Sequence, residues 1–235
     1  TEIEDLDYDE IELIHNICSD IVPLTIKIGG PEARNDMRNL FKIKVEGILA
    51  PMIESAYGFK NYIKTALDLL KEYGIRPLLC LNAETISFYN NMEKIISDPY
   101  FERIDAVTVG RGDLSGSMDA KSVDEPEVIK VAADIISTMN KLGKITSVGG
   151  SVMPANITGI RDNIKSKRAN TRHVVISLDH KGDLKESCAM ALGFEIHLYK
   201  ILMEFKPEKA KAYKNRIDLT QNRIKKGFAK AVMIA

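Results

Sequence analysis

Asp105-Ala-Val-Thr-Val-Gly-Arg-Gly-Asp113-Leu-Ser-Gly-Ser117 is the stretch that decides how the chain is read. Residues 106–109 are small or β-branched and suit a parallel strand buried on both faces. Gly110 and Gly112 then allow a tight turn and expose backbone N–H groups to an anion. Asp113 follows at the carboxyl end of that strand, where parallel α/β folds display their site residues. An Asp in this place can also simply cap the next helix, and the segment alone leaves both readings open.

A second acid upstream repeats the pattern. In Pro77-Leu-Leu-Cys-Leu-Asn-Ala-Glu84-Thr another apolar run stops at a polar cluster before a helical segment, so two strands end in carboxylates. Two hard oxygen ligands on neighbouring strand ends hold Mg²⁺, Mn²⁺ or another divalent cation incompletely and leave positions open for a substrate carboxylate and ketone. Open coordination is what Lewis-acid chemistry requires.

Composition narrows the class. The chain has 235 residues, with lysine plus arginine and aspartate plus glutamate at 33 each. That length suits a single domain near the roughly 250 residues of a parallel barrel. Balanced charge gives no general attraction to nucleic acid or an anionic membrane. Cys18, Cys80 and Cys188 are odd in number and far apart, which argues against a disulfide framework or a zinc site and suggests reduced thiols in a cytoplasmic protein. No apolar stretch approaches the roughly 20 residues of a membrane span, and the acidic start is not a signal peptide.

Short apolar runs at 24–28, 47–53, 77–81, 106–109, 145–148 and 173–178 each precede a segment of helical pattern. Repeated βα units imply a parallel sheet. Asp124-Glu-Pro-Glu opens one helix, whose Ile129, Ala132, Ala133, Ile136 and Met139 recur at helical spacing before Gly143 closes it. Residues 1–5 alternate like the tail of a further strand, and an eighth would precede residue 1. The expectation is therefore one (β/α)₈ TIM-barrel domain over 1–235, entered part-way into its fold, with a C-terminal helix over 207–230. A doubly wound sheet is the alternative. The lysine- and arginine-rich 207–230 segment reads as a helix with one solvated face.

Gly47-Ile-Leu-Ala-Pro-Met-Ile-Glu54-Ser, Asn82-Ala-Glu84-Thr and Val109-Gly-Arg-Gly-Asp113-Leu-Ser resemble successive strand ends of the HpcH/HpaI aldolase and citrate-lyase family, part of the phosphoenolpyruvate/pyruvate barrel superfamily. The resemblance runs over most of the chain. It implies that residues 1–4 are the second strand, 24–30 the third, 47–53 the fourth, the Glu84 and Asp113 strands the fifth and sixth, and 145–148 and 173–178 the last two. It further implies that Glu84 and Asp113 hold Mg²⁺ or Mn²⁺, that Asn82 lies near the substrate ketone, and that the Arg111, Gly112 and Asp113 amides receive a pyruvate carboxylate. Ser115 joins Asn82, Arg111 and Gly112 as a substrate-binding candidate. The Arg111 side chain itself is free to point elsewhere. The activity implied is metal-dependent cleavage or formation of a 4-hydroxy-2-oxo acid through a pyruvate enolate, in a homo-oligomer whose subunits exchange a late helix. Cleavage of a malyl- or citryl-type CoA ester, or a non-catalytic metal-binding barrel subunit, are the alternatives.

The departures from the family pattern are specific. Where many of these aldolases have an arginine after the third strand, this chain has Lys27, which supplies charge without a bidentate fork. Lys27 can instead form a Schiff base or pair with an acid inside the barrel. The histidine base of the second strand is replaced by Glu2-Ile-Glu4-Asp5, so Glu4 is a candidate base, crowding among acids being able to raise its pKa, while a salt bridge from Glu2 or Glu4 to Lys27 is the equal alternative. Glu54 at its strand end either faces the pocket or caps the helix beginning near Ala56. Asp179 and His180, after the last strand, are placed to reach the pocket mouth, with a loop or interface position as the other reading of His180. His15 and His197 read as structural.

Overall fold

The computed structural model describes residues 5–232, with side chains as far as residue 227. Helix α1 (Tyr8–Cys18) is opened by a capping box in which the Asp7 side chain accepts from the Glu10 amide and the Glu10 side chain accepts from that of Asp7. There follow β1 (Thr25–Lys27), α2 (Arg34–Ile43), β2 (Gly47–Ala50), α3 (Ala56–Tyr73), β3 (Leu78–Ala83), α4 (Ile86–Ile96) and β4 (Ala106–Gly110). The second half comprises α5 (Arg111–Ser117), α6 (Pro126–Lys141), β5 (Ile145–Gly149), α7 (Ile157–Ile164), β6 (Arg168–Asn170), β7 (Val175–Ser177), α8 (Leu184–Phe205) and α9 (Ala210–Val232).

The strands form one seven-stranded sheet in sequence order, parallel from β1 to β6 and antiparallel between β6 and β7. Its two faces follow from the period-two alternation of a strand. Ile48, Leu81, Val107, Val109, Val148 and Ala169 are buried against the helices. The alternate positions carry Lys27, Asn82, Thr108, Ser147, Arg168 and Asn170 together with the apolar Leu49, Cys80 and Ala106, so the concave face is mixed, with its polar side chains gathered towards the carboxyl ends of β3 to β6. This is an α/β fold with a curled, partial barrel sheet, and among the described residues β1 and β7 remain its edges. The segment 1–4, expected to be a barrel strand, and with it Glu2 and Glu4, lies outside the described residues.

The last strand departs from expectation. The parallel partner of β5 is Arg168–Asn170, unrecognised in the sequence because three residues flanked by Lys165, Ser166 and Lys167 carry no apolar run. The segment 173–178 contributes β7, which turns back beside β6 instead of closing the parallel series. Glu195, fully buried on α8, enforces that turn: its Oε1 accepts from Thr171 Oγ1 at 2.6 Å and from the Arg172 and His173 amides at 2.6 and 2.8 Å.

The predicted C-terminal helix is α9, preceded by a short 3-10 turn (Pro207–Lys209). Its apolar side returns to the fold. Tyr213 and Ile217 pack with Ile14 of α1 and with Leu198, Tyr199 and Leu202 of α8 in a second core cluster. Glu10, with no exposed surface, accepts hydrogen bonds from Lys209 Nζ at 2.7 Å and from the Tyr213 hydroxyl, tying α1 to the chain end. No helix among the described residues is long and apolar enough to cross a membrane.

Candidate active site

Glu84 stands one residue beyond β3 and is 1% exposed. Lys27 Nζ, from β1, donates to its Oε2 at 3.1 Å, and Asn82 Nδ2 donates to the same oxygen. The Met52 amide donates to Oε1 at 3.1 Å from a loop whose backbone is left-handed at that residue (φ 51°). Three strand ends thus converge on one carboxylate. Burial pushes its pKa up from 4.5 to about 6, against the lowering influence of Lys27 and the Met52 amide, and the neighbouring Asp113 carboxyl adds to the rise.

The glycine of β4 makes this arrangement possible. A Cβ on Gly110 would lie 3.0 Å from Glu84 Cβ and 3.2 Å from its Oε2, so any side chain there would displace the carboxylate. Immediately afterwards α5 begins, with Asp113 in its first turn and exposed at the mouth. Glu84 and Asp113, predicted as a pair, are brought together.

Arg111 is brought to the site only through its backbone. Its side chain is fully buried and turns towards the end of β5, where Nε donates to Gly149 O at 3.3 Å, one terminal nitrogen to Gly150 O at 2.5 Å and the other to Asp124 Oδ1 at 3.0 Å. This clamp sets Gly150 (φ 90°) against α5 so closely that a Cβ on it would lie 2.7 Å from Gly112 N. Glycine there leaves the Gly112 amide uncovered. Ser115 is buried, its hydroxyl donating back to Gly112 O at 2.7 Å.

Glu54 is exposed on the loop leaving β2, and no hydrogen bond or ion pair among the described residues joins its side chain to Glu84, Asp113 or Lys27. Ser55, not Glu54, caps α3, by accepting from the Gly58 amide at 3.0 Å. Asp179 and His180 lie at the opposite end of the sheet from the site. Because β7 runs antiparallel to β6, Leu178 N bonds to Lys167 O before β6 begins, which places the following residues where the parallel strands start.

Asn82, 6% exposed, leaves its Oδ1 buried without a partner. Asn82 Oδ1 and the two carboxylates are hard oxygen donors, and two crowded acids with an unpaired amide oxygen fit a divalent cation such as Mg²⁺ or Mn²⁺. Among the described residues no cluster of three or more His, Cys, Asp or Glu offers an alternative cage. The three cysteines are buried, and burial lifts the Cys80 and Cys188 thiols to about 12, which leaves them unreactive.

No protein-family model matches the sequence, and no curated protein matches it. Solved structures do resemble it. The HpcH/HpaI aldolase from Desulfitobacterium hafniense DCB-2 is similar with a TM-score of 0.59 and 14% identity, over 71% of this chain and 72% of its own. A citrate lyase from Burkholderia xenovorans LB400 gives 0.58 and 14%, over 93% of this chain and 80% of its own. Citrate synthase SbnG gives 0.55 and 12%, over 81% and 79%. At such identities the likeness concerns architecture and not activity, so the finding is that this chain shares the fold of HpcH/HpaI aldolase and citrate lyase structures.

Proposed function

We propose that the protein is a divalent-metal-dependent carbon–carbon lyase that cleaves or forms a 4-hydroxy-2-oxo acid through the enolate of pyruvate. The observation that carries the reading is the convergence of Glu84 and Asp113 beside the unpaired Asn82 carbonyl, at the carboxyl ends of β3 and β4. The names of the similar folds, an aldolase and a citrate lyase, agree with it. Mg²⁺ or Mn²⁺ held by Glu84 and Asp113 would supply Lewis-acid stabilisation of negative charge on the substrate ketone oxygen.

The chain's own groups do the rest. The uncovered Gly112 amide, with those of Arg111 and Asp113, receives the substrate carboxylate. Lys27 holds the Glu84 carboxylate in place and brings positive charge to the same corner. In cleavage, a carboxylate at the mouth takes the proton of the C4 hydroxyl, the C3–C4 bond breaks to release an aldehyde, and its electron pair forms the enolate. Protonation at C3 then yields pyruvate. Glu54, exposed on the loop leaving β2, is the acceptor we assign to the hydroxyl proton.

The test is pyruvate release from a panel of 4-hydroxy-2-oxo acids, followed with a coupled lactate dehydrogenase. Release that needs Mg²⁺ or Mn²⁺ and falls at least about a hundredfold in Glu84→Gln is expected. A second reading, a barrel that is not a catalyst, is favoured by one observation: Lys27 already neutralises Glu84 without an ion. No release across the panel, together with no binding of Mn²⁺ by calorimetry, would favour that reading.

A further inference from the structure

The loop leaving β5 follows a backbone path that its residues do not favour by themselves. Gly150 and Ser151 both lie in the left-handed region, at φ 90° and 51°, and a serine holds that conformation only where its surroundings impose it. From Gly149 to Val152 every carbonyl accepts from a side chain. Arg111 holds Gly149 O and Gly150 O, Asn156 Nδ2 donates to Ser151 O at 2.9 Å, and Arg223 donates to Val152 O at 2.5 Å. Asn156 Oδ1 also accepts from the Met153 amide at 2.9 Å.

Arg111 and Asn156 are neighbours of the strand ends, whereas Arg223 comes from the far end of the chain. It stands on α9, 71 residues beyond Val152. One of its terminal nitrogens reaches the Val152 carbonyl, and the other lies 3.9 Å from Oε2 of the buried Glu195. That oxygen accepts no hydrogen bond, so charge alone draws the guanidinium over it. One turn later the helix meets the same loop again. A Cβ on Gly227 would lie 2.8 Å from Pro154 Cβ and 3.0 Å from its Cγ and Cδ, so only a glycine lets α9 come this near.

The other side of the loop gives these contacts their significance. A Cβ on Gly150 would lie 2.7 Å from Gly112 N, so the backbone at 150 abuts the amide assigned above to the substrate carboxylate. A small shift of the loop covers or tilts that amide, and a hydrogen bond weakens steeply once it is misaligned. We propose that Arg223 is a positioning residue for substrate binding: by holding the Val152 carbonyl from α9, it fixes the 150–152 segment and so sets the access of a carboxylate to the Gly112 amide. The inference deepens the aldolase reading and rests on it only in taking Gly112 as the receiver of the carboxylate.

The test uses the full chain with glycine nitrogens labelled with ¹⁵N and arginine carbonyls with ¹³C. Arg111-Gly112 is the one Arg-Gly pair in the sequence, so the Gly112 amide signal identifies itself. Arg223→Met is expected to shift that signal in the ligand-free protein and to weaken pyruvate binding with Mg²⁺ present, followed by saturation-transfer NMR, about tenfold. Gly227→Ala displaces the loop with Arg223 still in place and should have the same two effects; if Arg223→Met fails to fold, it decides alone. Tyr213→Phe loosens α9 away from the loop, and should lower the melting temperature while leaving the Gly112 signal and pyruvate affinity unchanged. A Gly112 signal that stays in place in the folded variants, an unaltered pyruvate affinity, or an equal loss in Tyr213→Phe overturns the positioning role. A shifted Gly112 signal in a protein whose wild type binds no pyruvate would remove the aldolase reading and leave the hold of Arg223 on the loop standing.

Discussion

Burial of the Glu84 carboxyl raises its pKa to about 6 despite the Lys27 ammonium beside it, and that shift has a consequence for stability. The folded value lies above the ordinary 4.5, so the associated stability is complete below pH 4.5 and is lost as pH rises through 6. The loss is about 2 kcal/mol at one and a half pKa steps. Relative to Glu84→Gln in urea unfolding with chelator present, the wild type should lose that amount between pH 4.5 and 6.5; a constant difference across the range would mean that the carboxyl is not strained. Gly110→Ala should act through the same group, pushing its carboxylate aside and lowering the proposed lyase activity about a hundredfold while the fold persists. Both acids of the candidate site were legible in the sequence, because each closes an apolar run. The strand Arg168–Asn170 was not, since it is three residues long and bears no apolar signature.

At the scale of elements, the site depends on two connections that sequence patterns do not display. Arg111 lies in a stretch that reads as an anion loop, yet its guanidinium is buried and joins α5, the β5 loop and the linker before α6. Arg111→Lys loses the planar fork and should cost about 2–3 kcal/mol in denaturant unfolding, together with a rise in the KM for the 2-oxo acid as the Gly112 amide shifts. Asp124→Asn, by contrast, removes a half-exposed partner and should cost under about 1 kcal/mol. If the two variants proved equally destabilised, the buried carbonyl contacts would not be what holds Arg111. The second connection is Glu195, which imposes the β6–β7 turn from α8, far along the chain. A long-range side-chain contact of that kind decides strand direction, and local periodicity contains no trace of it. That is why 173–178 read as a strand but not as an antiparallel one.

Over the whole molecule, the alternation of apolar runs and helical segments was enough to predict an α/β sheet that is parallel from β1 to β6, because each run needed burial against the helix that follows it, and the candidate site was sought at the carboxyl ends of those strands. What the pattern could not convey is how α1, α8 and α9 come together, since their shared cluster is assembled from residues some two hundred positions apart. Glu10 is the test of that closure. Glu10→Ala leaves Lys209 and Tyr213 without their buried acceptor and should destabilise the protein by about 2–4 kcal/mol in urea unfolding, with no change in affinity for Mn²⁺. The account as a whole stands on enolate chemistry at the Glu84–Asp113 corner. The most direct test is exchange of the pyruvate methyl protons in D₂O, followed by NMR with Mg²⁺ or Mn²⁺ and with Asp113→Asn as the control, an assay that requires no knowledge of the aldehyde. Metal-dependent loss of the methyl signal that disappears in the variant is the predicted result, and exchange no faster than with the metal ion alone would contradict it.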